Sequence, residues 1–287
     1  MARFLSQTAH RWASKINEMR MVSELSFANY ASPPRQSPFS DLVVALTSYP
    51  TRIQFAWRSV ETILGQDGFL GTTVLVLCES DFPRREVPRR LRNQCSRGLK
   101  ILWVKRDGRS FDKLLPVRHA YPGSAVITVD DDIYFPNTLV SQLVQAAVHH
   151  PGSIVSSRGW RVLPSQRDGQ VHFGEGWQRS ESGDAGPGLH LPGGNGCFYP
   201  PDGLDPVVDD LELALKLAPT NDDIWFWIQA VRAGTEFACL GMRPHLRVGP
   251  QTKTDSLSRV NDGVREAQFQ DVMRYFSVDP EGLIWRG

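Results

Sequence analysis

Short runs rich in Val, Ile and Leu alternate with helical stripes through the first half of the chain, and no other feature restricts the fold as strongly. Leu42-Val-Val-Ala-Leu46, Thr73-Val-Leu-Val-Leu77, Lys100-Ile-Leu-Trp-Val104, Ala125-Val-Ile-Thr-Val129 and Ser153-Ile-Val-Ser156 read as strands buried on both faces. Ile53, Trp57, Val60 and Leu64 form a helical stripe after the first run. Val87–Ser96 reads as a basic helix closed by Gly98, and Lys113–Ala120 as a short helix. Leu139, Leu143, Ala146 and Ala147 mark another. Repeated β-α-β units require right-handed crossovers, so the expected fold class is α/β, with a mostly parallel central sheet flanked by helices. Ligands of such sheets bind beyond the carboxyl ends of the strands. Further on, residues 157–192 are loop-rich and polar, and two more helices are expected around Pro206–Leu217 and Asp222–Ala233.

A length of 287 residues suits one large α/β domain or two small ones. With 32 Lys+Arg against 31 Asp+Glu, the formal charge of +1 gives no drive toward nucleic acid. Cys78, Cys95, Cys197 and Cys239 are widely spaced and form no C-x-x-C, which argues for reduced core thiols over a zinc or disulfide framework. The stretch free of Asp, Glu, Lys and Arg, Ile133–Ser157, holds two prolines and several polar residues, so it does not read as a membrane span. With no secretory leader pattern either, the expected location is cytoplasmic. Residues 1–40 stand apart from a domain at 41–287. Phe4, Trp12, Ile16 and Met19 recur at helical spacing among Arg3, Arg11, Lys15 and Arg20. Such a helix either lies peripherally on a membrane or packs on the protein's own body or on a second subunit as a homodimer. Ala31–Pro38 reads as a linker.

Three segments carry chemistry. Asp130-Asp131-Asp132 directly follows the apolar run Ala125–Val129. Three carboxylates held together repel, and a divalent cation with a taste for hard oxygen ligands, magnesium or manganese, would offset that. On an extended chain residues i and i+2 point the same way, so Asp130 and Asp132 would share one ion or nucleotide while Asp131 faces elsewhere. The alternative is a solvated turn capping the next helix. In Thr220-Asn-Asp-Asp-Ile-Trp-Phe-Trp227, Asn221 reads as a helix cap, with Asp222 and Asp223 in the first turn, where the macrodipole favours carboxylates. One such carboxylate, fixed and ionised, also suits a general base. Pro192-Gly-Gly-Asn-Gly-Cys-Phe-Tyr199 is a glycine-rich turn that either admits a ligand to the backbone or is structural.

Taken in order, Thr47-Ser-Tyr-Pro-Thr-Arg52, Thr128-Val-Asp-Asp-Asp-Ile-Tyr-Phe-Pro136, Gly193-Gly-Asn-Gly196 and Asn221-Asp-Asp-Ile-Trp-Phe-Trp227 resemble a bacterial GT-A glycosyltransferase, similar in layout to the family 2 enzymes. The resemblance covers roughly residues 41–245. It implies a nucleotide-sugar-binding sandwich and transfer of a sugar from a UDP-linked or related donor to a hydroxyl acceptor with inversion, in synthesis of a bacterial surface glycan or glycolipid. Carried over, Asp130 and Asp132 take the D-x-D role toward the donor and a manganese or magnesium ion, with Asp131 between them. Gly194 and Asn195 contribute to the donor pocket. Thr47, Tyr49 and Arg52 fall on the first nucleotide loop, and Glu79 and Asp81 follow the second strand, where such enzymes touch the base. Asp222-Asp223 stands where the family has Glu-Asp, so the base assignment falls on Asp223, with Asp222 as the alternative. The Q-x-x-R-W that follows the base in processive polymerases is missing. Lys113 either pairs with the diphosphate or is a solvated surface lysine, and His245 is either a metal ligand or structural. A retaining transferase, a sugar nucleotidyltransferase and a non-catalytic binding protein remain as rival readings.

Two features stay open at this level. Arg84, Arg85, Arg89, Arg90, Arg92 and Arg97 read either as a patch for anionic lipid or a phosphorylated acceptor, or as a solvated helix face. Trp160 and Trp177 read either as sugar-stacking platforms or as core.

Overall fold

The computed structural model describes residues 18–30, 41–68, 71–243, 246–247 and 263–286. Its centre is a seven-stranded sheet of order β11-β6-β10-β4-β1-β2-β3. Here β1 is Leu42–Thr47, β2 Thr72–Cys78, β3 Leu99–Val104, β4 Ala125–Val129, β6 Ile154–Ser156, β10 Asn195–Tyr199 and β11 Phe237–Cys239. The runs read as strands are strands, and β1 pairs in parallel with both β2 and β4. Side chains of β1, β2, β4 and β6 are buried on both faces, as continuous apolar runs require, whereas β3, at the sheet edge, is only half-buried beyond Leu99 and exposes Lys100.

One strand departs from expectation. The glycine-rich segment supplies β10, which runs antiparallel between β4 and β6. A bulge between Asn195 and Cys197 makes this fit. Gly196 there has φ +101, and its carbonyl accepts from Ser157 N at 2.9 Å and Ser156 Oγ at 3.1 Å. The polar stretch after β6 also pairs into a small antiparallel sheet of β7 (Trp160–Arg161), β8 (Gln178–Arg179) and β9 (Leu189–His190).

On one face, α2 (Ile53–Leu64), α3 (Arg89–Cys95) and α5 (Leu139–His149) cover the sheet, with Trp57, Val60, Ile63, Leu91 and Leu143 in the core. The helix at 18–30, α1, packs on this layer. Val22 and Leu25 lie against its apolar cluster, and Asn29 is buried and donates to Glu61 Oε2 at 3.2 Å. Met19 is exposed, while Phe4, Trp12, Ile16 and the linker Ala31–Pro38 lie outside the described residues. On the other face lie α4 (Leu115–Ala120), α6 (Leu211–Leu217), α7 (Asp222–Arg232) and α8 (Arg265–Phe276), around Phe111, Trp225, Phe226 and Phe269. No described helix is long and apolar enough to cross a membrane.

The basic run is not one solvated face. Arg97 is buried against Glu61 at 2.7 Å, Arg90 stacks 4.0 Å over the Trp57 ring, and Arg85 pairs with Glu79 at 2.5 Å. Of the four cysteines, Cys78, Cys197 and Cys239 are buried thiols, whereas Cys95 is exposed, because the last turn of α3 points it away from the core.

Candidate active site

β1 and β4 lie side by side, so their carboxyl ends deliver Thr47-Ser48-Tyr49 and Asp130-Asp131-Asp132 to one rim. A cavity of about 820 Å³ opens there. Thr47, Tyr49, Arg52, Asp81, Lys113, the three aspartates, Gly194, Asn195, Asp222 and Asp223 all line it. Segments far apart in sequence thus meet at the switch between strands, where an α/β sheet leaves its crevice.

The aspartates do not alternate as an extended strand would, because the chain leaves β4 in a turn at 131–132. Asp131 turns inward rather than away. It is buried, accepts from Ser48 Oγ at 2.5 Å and pairs with Arg52. Asp132 shares the same guanidinium at 3.0 Å. Arg52 precedes the first turn of α2, and its ring contact with Tyr49 (5.7 Å) holds it over the turn. Burial pushes the Asp131 carboxyl up to about 6, with Arg52 and Ser48 pulling the other way.

Asp130 faces a second cation. Lys113 Nζ lies 3.2 Å from Asp130 Oδ1 and 3.1 Å from Asp222 Oδ2. Lys113 closes the 3-10 turn Arg109–Lys113 ahead of α4 instead of opening a helix, and it is buried rather than solvated. Burial alone would lower its pKa, but Asp130, Asp222 and Asp223 outweigh that and hold the ammonium charged. The Asp130 amide donates to Gly194 O at 2.8 Å, and a Cβ on Gly194 would fall 2.0 Å from Asp130 Oδ2. Only glycine lets this backbone lie against the carboxylate.

Asn221 caps α7 by accepting from Ile224 N at 3.4 Å. That leaves Asp222 and Asp223 in the first turn, as expected, and their roles divide. Asp222 is buried against Lys113. Asp223 is half-buried and accepts from Gly193 N at 2.9 Å through Oδ1. Thr128 Oγ1 in turn bonds Gly193 O at 2.8 Å, so the carboxylate is fixed to the end of β4. Burial, then repulsion from Asp222, pushes Asp223 up to about 7, against the pull of Lys113. A carboxyl that titrates near neutrality in a cleft is suited to proton transfer.

At this rim Arg52 pairs with Asp131 and Asp132, and Lys113 with Asp130 and Asp222, while Asp223 lies beside them in the same cavity. No group of three metal-ligating His, Cys, Asp or Glu side chains forms among the described residues. Asp130 and Asp132 are the carboxylates at this rim that could hold an ion which completes its shell with phosphate oxygens and water. His245 lies outside the described residues. Glu79 is not part of the cavity, because its carboxylate is taken by Arg85 beyond the end of β2.

Several lining residues had no signal in the sequence. Asp112 is buried, accepts from Gly108 N at 3.0 Å, and is pushed up to about 7 by burial. His190 sits in the apolar run Leu189-His-Leu191, which carries no functional pattern. Its ring lies among Trp227 (5.0 Å), Phe173 (5.2 Å) and Trp177 (5.3 Å), and burial lowers its pKa to about 3. Trp160 and Trp177 now separate, with Trp160 37% exposed at the cavity and Trp177 half-buried in the aromatic cluster.

No family model and no curated protein sequence matches the chain. Among solved structures it is similar to a mannosyltransferase from Pyrobaculum calidifontis in complex with GDP-Man and Mn2+, at 14% identity over 93% of this chain and 74% of that one, with a TM-score of 0.48. It is also similar to TarS of S. aureus in complex with UDP-GlcNAc, at 13% identity over 83% of this chain and 66% of that one, TM-score 0.49. A third likeness is to a CMP:2-keto-3-deoxy-manno-octonic acid synthetase with CTP, at 14% identity, 72% and 93% coverage and TM-score 0.41.

Proposed function

We propose that the protein is a metal-dependent glycosyltransferase that moves a sugar from a nucleotide-sugar donor to a hydroxyl of a glycan or glycolipid acceptor, with inversion. The observation that supports it is one cavity holding an aspartate triplet after β4 and an aspartate pair at the start of α7, bridged by buried Lys113. Residues 41–287 form the catalytic unit in this reading, and the donor is UDP-linked or GDP-linked.

Thr47, Tyr49 and Asp81 line the cavity at the ends of β1 and β2, and in this reading they meet the nucleoside. Asp130 and Asp132 would hold a manganese or magnesium ion, which when bound offsets charge on the leaving diphosphate. Lys113, fixed by its two carboxylates, presents its charge to the same phosphates. Asp223 Oδ takes the proton of the acceptor hydroxyl. That oxygen attacks the anomeric carbon as the bond to the diphosphate oxygen breaks, and the nucleoside diphosphate leaves with the electron pair. Gly193 N–H keeps the carboxylate aimed while it works, which is a positional advantage and not a chemical one.

A donor-hydrolysis screen with UDP-, GDP- and CMP-sugars, with and without manganese, tests the reading. Metal-dependent release of a nucleoside diphosphate from one donor is expected. Absence of both turnover and nucleotide affinity across the panel sinks it, and release of pyrophosphate from a nucleoside triphosphate with a free sugar would promote a nucleotidyltransferase instead.

A further inference from the structure

The small sheet after β6 sets up a second surface in the same cavity. Trp160 on β7 lies directly opposite His190 on β9, and opposite residues of an antiparallel pair project from one face. Trp160 and His190 therefore form a row, and both line the cavity with Phe173 and Trp177. Trp160 is exposed at the cavity, at 37%. In the adjoining ring cluster, among the described residues, both ring nitrogens of His190, itself 3% exposed, and the indole nitrogens of Trp177 and Trp227 have no hydrogen-bond partner. Buried polar atoms without partners are costly, so such atoms beside a cavity point to a ligand that supplies hydrogen-bonding groups. Three residues along the chain from His190, Gly193 anchors Asp223. Three extended residues span at most about 11 Å, so this wall and the carboxylate flank one ligand-sized space.

We propose that Trp160, Trp177 and His190 form the acceptor subsite, and that it takes a pyranose unit. The apolar C–H face of the ring lies on the Trp160 indole, and ring hydroxyls pair with the His190 imidazole and the Trp177 N–H. An acyl chain would cover the aromatic faces and leave those polar atoms unpaired, so the occupant is the sugar end of the acceptor and not its lipid. Kept neutral by burial, with Arg265 adding to the effect, His190 offers one donor and one acceptor at ordinary pH. This subsite rests on the transferase reading for its role, but not for its ability to hold a sugar.

The test uses the full chain without donor, with methyl glucoside, galactoside and mannoside, in both anomeric forms, as saturation-transfer NMR probes. At least one glycoside should receive saturation on its ring C–H protons. Trp160→Ala should weaken that glycoside at least tenfold, and Trp160→Phe should restore most of the affinity. His190→Phe, which keeps a ring but removes both nitrogens, should blunt discrimination between epimers. Because Trp160 is exposed, its variants keep the test informative even if His190→Phe does not fold. No transfer to any glycoside, or transfer unchanged in Trp160→Ala, overturns the subsite. Titration of the same samples with UDP and GDP in manganese reads the donor half separately. Glycoside binding without any nucleotide binding would support the sugar site while removing the transferase reading.

Discussion

Replacing Lys113 with Met removes the cation that bridges Asp130 and Asp222. Breaking a buried pair from one side is expected to cost about 3 kcal/mol at pH 8. The loss should shrink toward pH 5, because carboxyls deprived of their cation take up protons more readily. Urea unfolding at the two pH values checks this, and an equal loss at both would mean the lysine is held by packing alone. Asp223 gives the opposite kind of pH signal in function. Its folded-state pKa of about 7 lies above that of the unfolded chain, so its contribution to stability is present at low pH and lost as pH rises through 7. As a base it works only when ionised, so kcat/KM should fall about tenfold per unit below pH 7. Asp223→Asn should lower turnover by about 10²–10⁴ and flatten that limb, while Asp222→Asn keeps the limb. A profile unchanged in Asp223→Asn would assign the proton transfer elsewhere.

At the scale of elements, β10 sets the site more than any loop does. It carries Asn195 on its first residue, and Gly194 just before it, against the end of β4. In Gly194→Ala the new Cβ would press on the Asp130 carboxylate. That side chain can swing toward solvent, so the fold should lose only about 1 kcal/mol. Nucleotide affinity in manganese should drop at least tenfold, and titration calorimetry with unchanged affinity would separate Asp130 from the donor. This strand also shows where sequence reasoning stopped. The parallel strands and the α2, α5 and α7 stripes were legible because continuous apolar runs and 3.6-residue periods are direct records of burial. The aspartate triplet and pair were legible because like charges at strand ends and helix starts need a cause. β10 was not, since Gly193-Gly-Asn-Gly196 reads as a turn until a bulge at Gly196 is known to let it pair. Neither the burial of Lys113 nor the exposure of Trp160 has a local signature. Both arise from segments that meet only in the folded sheet, and α8 is too polar for its buried Phe269 and Met273 to show a stripe.

For the molecule as a whole, α1 belongs to the packed body. A chain starting at residue 41 should be about 2–4 kcal/mol less stable than one starting at residue 18. The longer deletion strips Val22 and Leu25 from the apolar layer and Asn29 from Glu61, itself held by Arg97. Equal melting of the two would make α1 an appendage. The order of the sheet has a further consequence for synthesis. β6 has β10 and β11 as its neighbours, and both are translated after it. Until residue 199 has left the ribosome, β4 keeps one ladder edge open and β6 has no partner at all. Strands made from residue 195 onward thus complete a sheet begun at residue 42, and the nascent chain must wait with its centre unsealed. A polypeptide stopped at residue 190 should sediment as aggregate or stay bound to chaperones, while one carrying β10 and β11 should be released folded.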